Sequence, residues 1–277
     1  IEFVPGLNED LGATTVWGSQ LANRNFDGKF DGVLGMWYGK APGVDRSGDA
    51  IRHANVCGVD PKGGVLLVAG DDPASKSSTL ASESEFALLH FQTPILYPGS
   101  VQEVADYGRI GYELSRYSGL WVSLKIVTNV ADGYSTIKVG PGRVQMERPK
   151  FEWDGVPWQH TQQDALFGPF AVRQELEIHE GRMEATDAFT RLNSLDIVSG
   201  ATSDARVGIV AAGKTYYDLR EALDRMGLDE AALKQRGVRL YKPAVVWPLE
   251  SNGVKEFARG LDTIVVEGLA PGGQAGT

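Results

Sequence analysis

The chain has 277 residues, 42% of them hydrophobic and 23% charged, as is ordinary for globular proteins. Its formal net charge of −9 argues against a nucleic-acid partner, because phosphate binding needs clusters of basic residues and the sequence has none. The single cysteine, Cys57, excludes a disulfide within the chain, and no CxxC or HExxH motif predicts a metal site. No apolar run approaches the roughly 20 residues of a membrane helix, so we expect a cytoplasmic protein without membrane contact.

The first half of the chain alternates helices with continuous apolar strands. Capping residues and apolar spacing predict helices at residues 7–25, 47–58, 82–91 and 100–119. Apolar runs predict strands at residues 32–38, 63–72, 94–98 and 120–127. Apolar strands that alternate with helices are typical of a parallel α/β sheet covered on both faces. Ligands of such sheets bind beyond the carboxyl ends of the strands, which places function in the loops at 35–49 and 70–72.

The second half of the chain begins with a change of character. Several prolines punctuate a polar stretch at 129–170, which indicates a linker, and one or two helices are predicted at 172–196. Alternation then resumes, with strands predicted at 206–213, 238–246 and 261–267 and helices at 215–226, 229–237 and 251–259. We therefore expect four parts: a domain at 1–128, a linker with helices at 129–200, a smaller α/β domain at 201–267 and an irregular tail at 268–277.

One motif matches a nucleotide-binding pattern. Residues 208–215, GIVAAGKT, fit the P-loop pattern GxxxxGK[ST] letter for letter. A P-loop needs its four middle residues in a phosphate-binding loop, whereas Ile-Val-Ala-Ala is a strand-forming run. We therefore interpret the motif as a strand, a glycine turn and a helix start. Nucleotide binding through Lys214 stays as an alternative.

Acidic residues occur at two positions where ligands often bind. Asp71 and Asp72 follow the clearest strand, and we expect them to cap the turn at Ser77 and Ser78 rather than to bind a metal ion. Glu9 stands in the first turn of the first helix, where composition alone indicates only an acid that suits the helix dipole.

Five segments together resemble a known family. They are GLNEDLGATTVWGSQL, DGVLGMWYGKAPGVDRSGDAIRHAN, GGVLLVAGDDPASKSST, GSVQEVADYGRIGYELSRYSG and GKTYYDLREAL…VVWPLE. With them the chain resembles the bacterial indolepyruvate ferredoxin oxidoreductases, which are thiamine-diphosphate-dependent 2-oxoacid:ferredoxin oxidoreductases. The resemblance is dense over the first 127 residues, loose from 128 to 200, and extends to about residue 267.

The resemblance implies a fold and a domain organisation. Residues 1–128 would form a parallel-sheet, pyrimidine-type thiamine-diphosphate-binding domain without its first strand and helix, and residues 201–267 a transketolase-C-like domain. Other domains or subunits would hold the diphosphate with Mg²⁺ and carry the Fe–S clusters. The sequence lacks the family's Gly-Asp-Gly motif and cysteines and starts without Met. We therefore expect part of a longer, dimeric enzyme that is inactive alone.

The resemblance also implies site residues. The Asn8–Glu9 pair falls where such enzymes keep an activating glutamate, whose proton bonds N1′ of the aminopyrimidine so that the 4′-nitrogen takes the C2 proton. Glu9 would be the catalytic acid, in an apolar setting that raises its pKa, with Asn8 and Gly39 beside the cofactor. No residue is assigned to a metal.

The substrate side departs from the related pyruvate enzymes. They place a substrate-binding Arg near the end of the strand that matches 64–69, where this chain has Gly-Asp-Asp. We hypothesise that Lys40 or Arg46 binds the substrate carboxylate instead, in a loop at 35–49 that closes the cleft.

The function that the resemblance implies is oxidative decarboxylation of an aryl 2-oxoacid such as indolepyruvate. CoA would accept the acyl group and ferredoxin the electrons. The alternative from another class is a non-catalytic α/β assembly module of a multidomain protein. The substitution Glu9→Gln distinguishes the two, because it abolishes decarboxylation in an enzyme and is silent in a scaffold.

Overall fold

The computed structural model describes residues 1–201 and 203–267; the tail expected at 268–277 lies outside them. The helices are α1 (Glu9–Asn25), α2 (Ala41–Arg46), α3 (Gly48–Cys57), α4 (Glu85–His90), α5 (Val101–Ser118), α6 (Thr128–Ala131), α7 (Gly168–Glu177), α8 (Met183–Leu192), α9 (Gly213–Arg225), α10 (Glu230–Gln235) and α11 (Ser251–Ala258). The strands are β1 (Leu34–Lys40), β2 (Gly64–Asp71), β3 (Ile95–Leu96), β4 (Val122–Val127), β5 (Glu152–Trp153), β6 (Val156–Pro157), β7 (Ile197–Gly200), β8 (Val207–Val210), β9 (Val238–Lys242), β10 (Val245–Trp247) and β11 (Thr263–Val266).

The first sheet has the strand order β1-β2-β4-β3-β10. Its first four strands are parallel, and β10 pairs antiparallel with β3. Successive side chains of β2 point to opposite faces: Val65 and Leu67 pack with the core beneath α1, α3 and α4, whereas Leu66 packs with α5 and α8. The prediction of a parallel α/β sheet covered on both faces is therefore confirmed.

β1 corrects two predictions for the same stretch. The sequence predicts a buried strand, but β1 is the edge of the sheet, and Leu34, Met36 and Tyr38 are exposed while Trp37 faces the core. The sequence also predicts a loop at 35–49, whereas β1 runs directly into α2, which begins with the Ala41-Pro42 pair. Proline suits the first turn of a helix, because the N–H that it lacks has no partner there.

The second sheet has the strand order β11-β8-β9-β7, with β7 antiparallel to β9 and the other pairs parallel. β7 was not predicted. The single strand predicted at 238–246 is two strands, because the chain leaves the second sheet at Pro243 and enters the first as β10. The segment from β9 to β10 therefore belongs to both sheets.

The stretch between the sheets carries little regular structure before α7. The hairpin of β5 and β6 lies in it, and a π-helical stretch, Ile178–Arg182, joins α7 to α8. The stretch between the sheets is hydrogen-bonded to a helix of the first sheet, because Trp158 Nε1 donates to the carbonyl of Tyr117 in α5 at 2.9 Å. Within residues 1–201 and 203–267, no helix combines the length and the apolarity that crossing a bilayer requires.

Candidate functional site

The carboxyl ends of β1 and β2 lie side by side at one edge of the first sheet. Lys40, the last residue of β1, is the register partner of Gly70. β1 continues into α2 and β2 continues into the loop at 72–78, so both connections leave from the edge where parallel sheets bind ligands.

The first turn of α1 is held at this same edge. Asn8 is extended and caps the helix, with its Oδ1 accepting a hydrogen bond from Leu11 N at 2.9 Å. Trp37, which is 3% exposed, donates from Nε1 to the main-chain carbonyl of Glu9 at 2.9 Å. The strand β1 therefore fixes where the backbone of Glu9 lies.

The side chain of Glu9 extends beside α2. It is exposed, and among the described residues its carboxyl accepts no hydrogen bond and pairs with no cation. It lies beside Gly43, where an added Cβ would lie 2.7 Å from Glu9 Cγ. The described residues therefore do not supply the apolar setting expected around Glu9.

Gly39 has a packing role in the structure. A Cβ at this position would lie 2.6 Å from Cη2 of Trp37, so the ring of Trp37 occupies the space that a side chain would need. The glycine thus permits the placement of the tryptophan that holds Glu9. Contact of Gly39 with a cofactor stays a prediction.

The two candidate carboxylate ligands differ in their partners. Lys40 donates from Nζ to the carbonyl of Ser77 at 3.0 Å, which ties the end of β1 to the loop after β2. Arg46 is exposed in the last turn of α2, and its guanidinium has no hydrogen bond or ion pair with any residue that the structure describes.

Asp72 caps the loop after β2, as predicted. Its carboxylate accepts hydrogen bonds from the backbone N–H groups of Ser77 (2.7 Å) and Lys76 (2.8 Å) and from the hydroxyl of Thr128 (3.1 Å). These bonds, that from Ser77 first, lower the pKa of Asp72 to about 2. Asp72 is therefore a structural acid that stays ionised.

Asp71 belongs to a buried cluster that the sequence analysis missed. Its carboxylate accepts from Ser84 N (2.9 Å) and Oγ (2.6 Å) and lies 3.5 Å from Nζ of Lys125. Lys125 is 2% exposed, also contacts Glu85, and stands 4.6 Å from the centre of the Tyr97 ring. Burial raises the pKa of Asp71 and lowers that of Lys125. The one available signal was a lysine inside the apolar run LWVSLKIV.

The P-loop match is a strand, a turn and a helix start, as interpreted from the sequence. Ile209 and Val210 lie in β8, and α9 begins at Gly213. Lys214 forms an ion pair with Asp218 one turn further along α9. The described residues also contain no group of three or more His, Cys, Asp or Glu side chains arranged to hold a metal ion.

Comparison with solved structures identifies a shared fold first. A solved 2-oxoglutarate:ferredoxin oxidoreductase from Magnetococcus marinus is similar, with a TM-score of 0.66 over 96% of this chain and 49% of that chain. At 15% identity this likeness shows a shared fold. This chain therefore shares its α/β fold with about half of that chain.

Sequence comparison then identifies similar proteins and a matching family model. The indolepyruvate oxidoreductase subunit IorA of Pyrococcus abyssi is 26% identical over 247 residues, which cover 87% of this chain and 35% of that protein. The same subunit of Archaeoglobus fulgidus is 24% identical over 208 residues, 75% of this chain and 31% of that protein. A family model for the indolepyruvate oxidoreductase domain matches residues 197–268. The resemblance is thus confirmed: the chain is similar to the IorA subunits of indolepyruvate oxidoreductases, and it spans about a third of their length.

Proposed function

We propose that this chain forms the aminopyrimidine side of the active site of a thiamine-diphosphate-dependent 2-oxoacid oxidoreductase, with Glu9 as the activating acid. The relation to IorA supports the reaction class. The observation that carries the residue assignment is the placement of Glu9: its backbone is held by Trp37, while its carboxyl has no partner among the described residues at the ligand-binding edge.

The residues present fit one half of thiamine diphosphate. An unpaired carboxyl such as that of Glu9 can share a proton with N1′ of an aminopyrimidine. The helix α2 presents no side chain at Gly43, which lies beside Glu9. They do not include a set for the diphosphate and its Mg²⁺, since the described residues bring no three metal-binding side chains together. Those ligands, and the Fe–S clusters, would come from other domains or subunits.

Each candidate residue of this chain would have its own role in the proposed reaction. When bound, the cofactor supplies a carbon nucleophile and an electron sink for the 2-oxoacid. Glu9 would hold a proton at N1′, and a facing domain would supply apolar surroundings for it. Asn8 and Gly39 would line the cofactor, and Arg46, whose guanidinium is unpaired among the described residues, would bind the substrate carboxylate bidentately. Lys40 is the second candidate, because its ammonium keeps donors beyond the one given to Ser77.

The substrate class and the partners follow from the names of the relatives. Indolepyruvate, an aryl 2-oxoacid, is the substrate that the IorA relatives are named for. The Magnetococcus protein is a ferredoxin oxidoreductase with 2-oxoglutarate, coenzyme A and succinyl-CoA bound. We propose by analogy that CoA accepts the acyl group and ferredoxin the electrons, in a cytoplasmic dimeric assembly. Residues 1–128 would be the pyrimidine domain and residues 201–267 the transketolase-C-like domain.

The test uses the longest natural polypeptide that contains this chain, with its partner subunits, prepared without oxygen. Indolepyruvate- and CoA-dependent reduction of viologen is measured for the wild type and for Glu9→Gln. We expect a loss of about 10²-fold or more, because the neutral amide removes the proton-holding group. The matched control is Asp10→Asn, which removes the neighbouring acid of the same helix turn and should keep the activity.

Two outcomes would contradict the proposal. An active wild type with an equally active Glu9→Gln variant removes Glu9 from the mechanism. A wild type that binds no thiamine diphosphate, and reduces no acceptor with any of indolepyruvate, phenylpyruvate and hydroxyphenylpyruvate, favours the assembly-module alternative.

A further inference from the structure

Gly43 is buried in α2 directly beside the side chain of Glu9. A Cβ atom built on Gly43 would stand 2.7 Å from Glu9 Cγ, 3.4 Å from Cδ and 3.5 Å from Cβ. The first distance is far below the roughly 3.5–4.0 Å at which carbon atoms pack favourably. Any side chain at position 43 must therefore move the side chain of Glu9.

The backbone of α2 does not itself require a glycine at this position. Gly43 lies within the helix and is absent from the described glycines with positive φ, so an L-residue fits the backbone there. Alanine is favoured over glycine inside a helix by about 1 kcal/mol. Glycine thus weakens α2 at the point where Glu9 rests against it.

The main chain of Glu9 is constrained by a different element, the strand β1. Its carbonyl accepts the hydrogen bond from Nε1 of Trp37, a buried residue of the edge strand. With the backbone held by β1, the freedom that remains to Glu9 is the direction of its side chain. A side chain at position 43 would change that direction, because its Cβ would meet Glu9 Cγ.

We infer that Gly43 is a positioning residue for the activating acid. Its missing side chain is the space that lets the Glu9 carboxyl extend over α2 at the open edge of the sheet. This inference rests on the proposed function of Glu9 and deepens it. It predicts an unusual combination for Gly43→Ala: stability kept or raised, and catalysis lost.

The experiment compares Gly43→Ala with Gly18→Ala in the same full-length enzyme. Gly18 lies in α1, the helix of Glu9, and a Cβ built there meets no atom within 4 Å. Both variants exchange a helical glycine for alanine, so both should keep or raise the unfolding midpoint. Only Gly43→Ala should lower kcat, by about 10- to 100-fold, because misplacing a reacting group by about 1 Å has effects of that size.

A second measurement does not depend on turnover. The rate of deuterium exchange at C2 of bound thiamine diphosphate is followed by NMR after acid quench, and the Kd of the cofactor is measured by calorimetry. In Gly43→Ala the exchange rate should fall in parallel with kcat, while the Kd stays within about threefold, because the inference concerns proton placement and not attachment. Gly18→Ala should leave both unchanged.

A double-mutant cycle shows whether Gly43 acts through Glu9. In the Glu9→Gln background, Gly43→Ala should have no further effect on the exchange rate, because the group that it displaces is already inactive. An equal loss in both backgrounds would overturn the inference.

The remaining outcomes separate the inference from the function on which it rests. If Glu9→Gln stops the exchange and Gly43→Ala leaves it at the wild-type rate, the inference fails and the role of Glu9 stands. If Glu9→Gln exchanges at the wild-type rate, the proposed function fails first. A fall of the unfolding midpoint by several degrees in Gly43→Ala would show a role in packing and would also overturn the inference.

Discussion

Two groups of charged side chains are treated in opposite ways by this fold. The guanidinium of Arg182 is fully buried and donates to Glu177 Oε1 (2.9 Å), Gln174 Oε1 (2.7 Å) and the carbonyls of Asn55 and Thr161 (both 2.9 Å). At the carboxyl edge of the first sheet, by contrast, Glu9 and Arg46 are exposed and have no partner among the described residues.

The difference separates charges that hold the fold from charges available to a ligand. Arg182 joins the end of α3, the stretch before α7 and the π-helical segment through one side chain, so the segments keep their positions only while that charge is satisfied. Glu9 and Arg46 make no such bonds to any residue that the structure describes. In the proposed function their partners would be a cofactor, a substrate or a facing domain.

The largest effect is expected from breaking the buried group. Arg182→Met should lower the free energy of unfolding by about 3–5 kcal/mol, because Glu177 is left buried without its counter-charge. Urea unfolding followed by circular dichroism measures it. The matched control is Arg225→Met, which breaks an exposed pair with Glu221 and should cost only about 0.3–0.5 kcal/mol. Similar losses of unfolding free energy in the two variants would contradict the structural role assigned to Arg182.

Acid should weaken the same buried region. His160 is 7% exposed, and burial first and the neighbouring Arg182 second lower its pKa from 6.5 to about 4. Between these values the unfolded chain binds a proton that the folded protein does not, so stability falls as the pH falls. His160 alone should lower the free energy of unfolding by about 2 kcal/mol from pH 7 to pH 5.

The measurement is urea unfolding at both pH values for the wild type and for His160→Gln. The difference between the two proteins isolates His160, because other groups such as Asp187, whose pKa burial raises to about 6, titrate in both. An identical pH dependence in wild type and variant would contradict the prediction.

Two helix starts repeat the contrast on a smaller scale. Ser100 caps α5 by accepting from the N–H of Glu103 at 3.2 Å, and Ser100→Ala should cost about 1 kcal/mol of stability. Ser47 precedes α3, next to the candidate site, yet its buried hydroxyl has no hydrogen-bond partner among the described residues. Ser47→Ala should therefore be neutral or slightly stabilising. Thermal unfolding of both variants checks the pair, and a larger loss for Ser47→Ala would reverse the assignment.

The smallest effect on stability is expected at the candidate site itself. Glu9→Gln and Arg46→Gln should each change the free energy of unfolding by less than about 0.5 kcal/mol, because both side chains are exposed and unpaired within the described residues. The same urea titrations measure the change. A loss of several kcal/mol at either position would identify that residue as part of the framework.

Elements with local signals were predicted well, and those that depend on distant pairing were not. The start of α5 at Ser100 and its end at Gly119, which has a φ of +83°, follow from the chemistry of single residues. The exposure of β1 does not, because an edge strand and a central strand can share the same apolar composition. The ion-pair partners of Lys125 were not predicted for a related reason: Asp71 and Glu85 lie far from it in sequence.

The candidate site divides in the same way. Glu9 was proposed from a resemblance in the segment GLNEDLGATTVWGSQL, and no local pattern pointed to Gly43 or Trp37 beside it. Their relation to Glu9 depends on packing α1 against β1 and α2, which brings together residues that are 28 or more positions apart. A hydrogen bond or a close contact of this kind leaves no periodic trace in a sequence.

Local sequence patterns were enough to predict the alternation of helices and apolar strands, the capped helix ends and the strand–turn–helix nature of the GKT motif. The tertiary structure decided which charges are satisfied. Asp71 and Asp72 are neighbours in the chain, yet burial raises the pKa of the first, and hydrogen bonds led by that from Ser77 lower the pKa of the second to about 2. The reason is that ionisation depends on distances and solvent exposure in space, which adjacent positions in a sequence need not share.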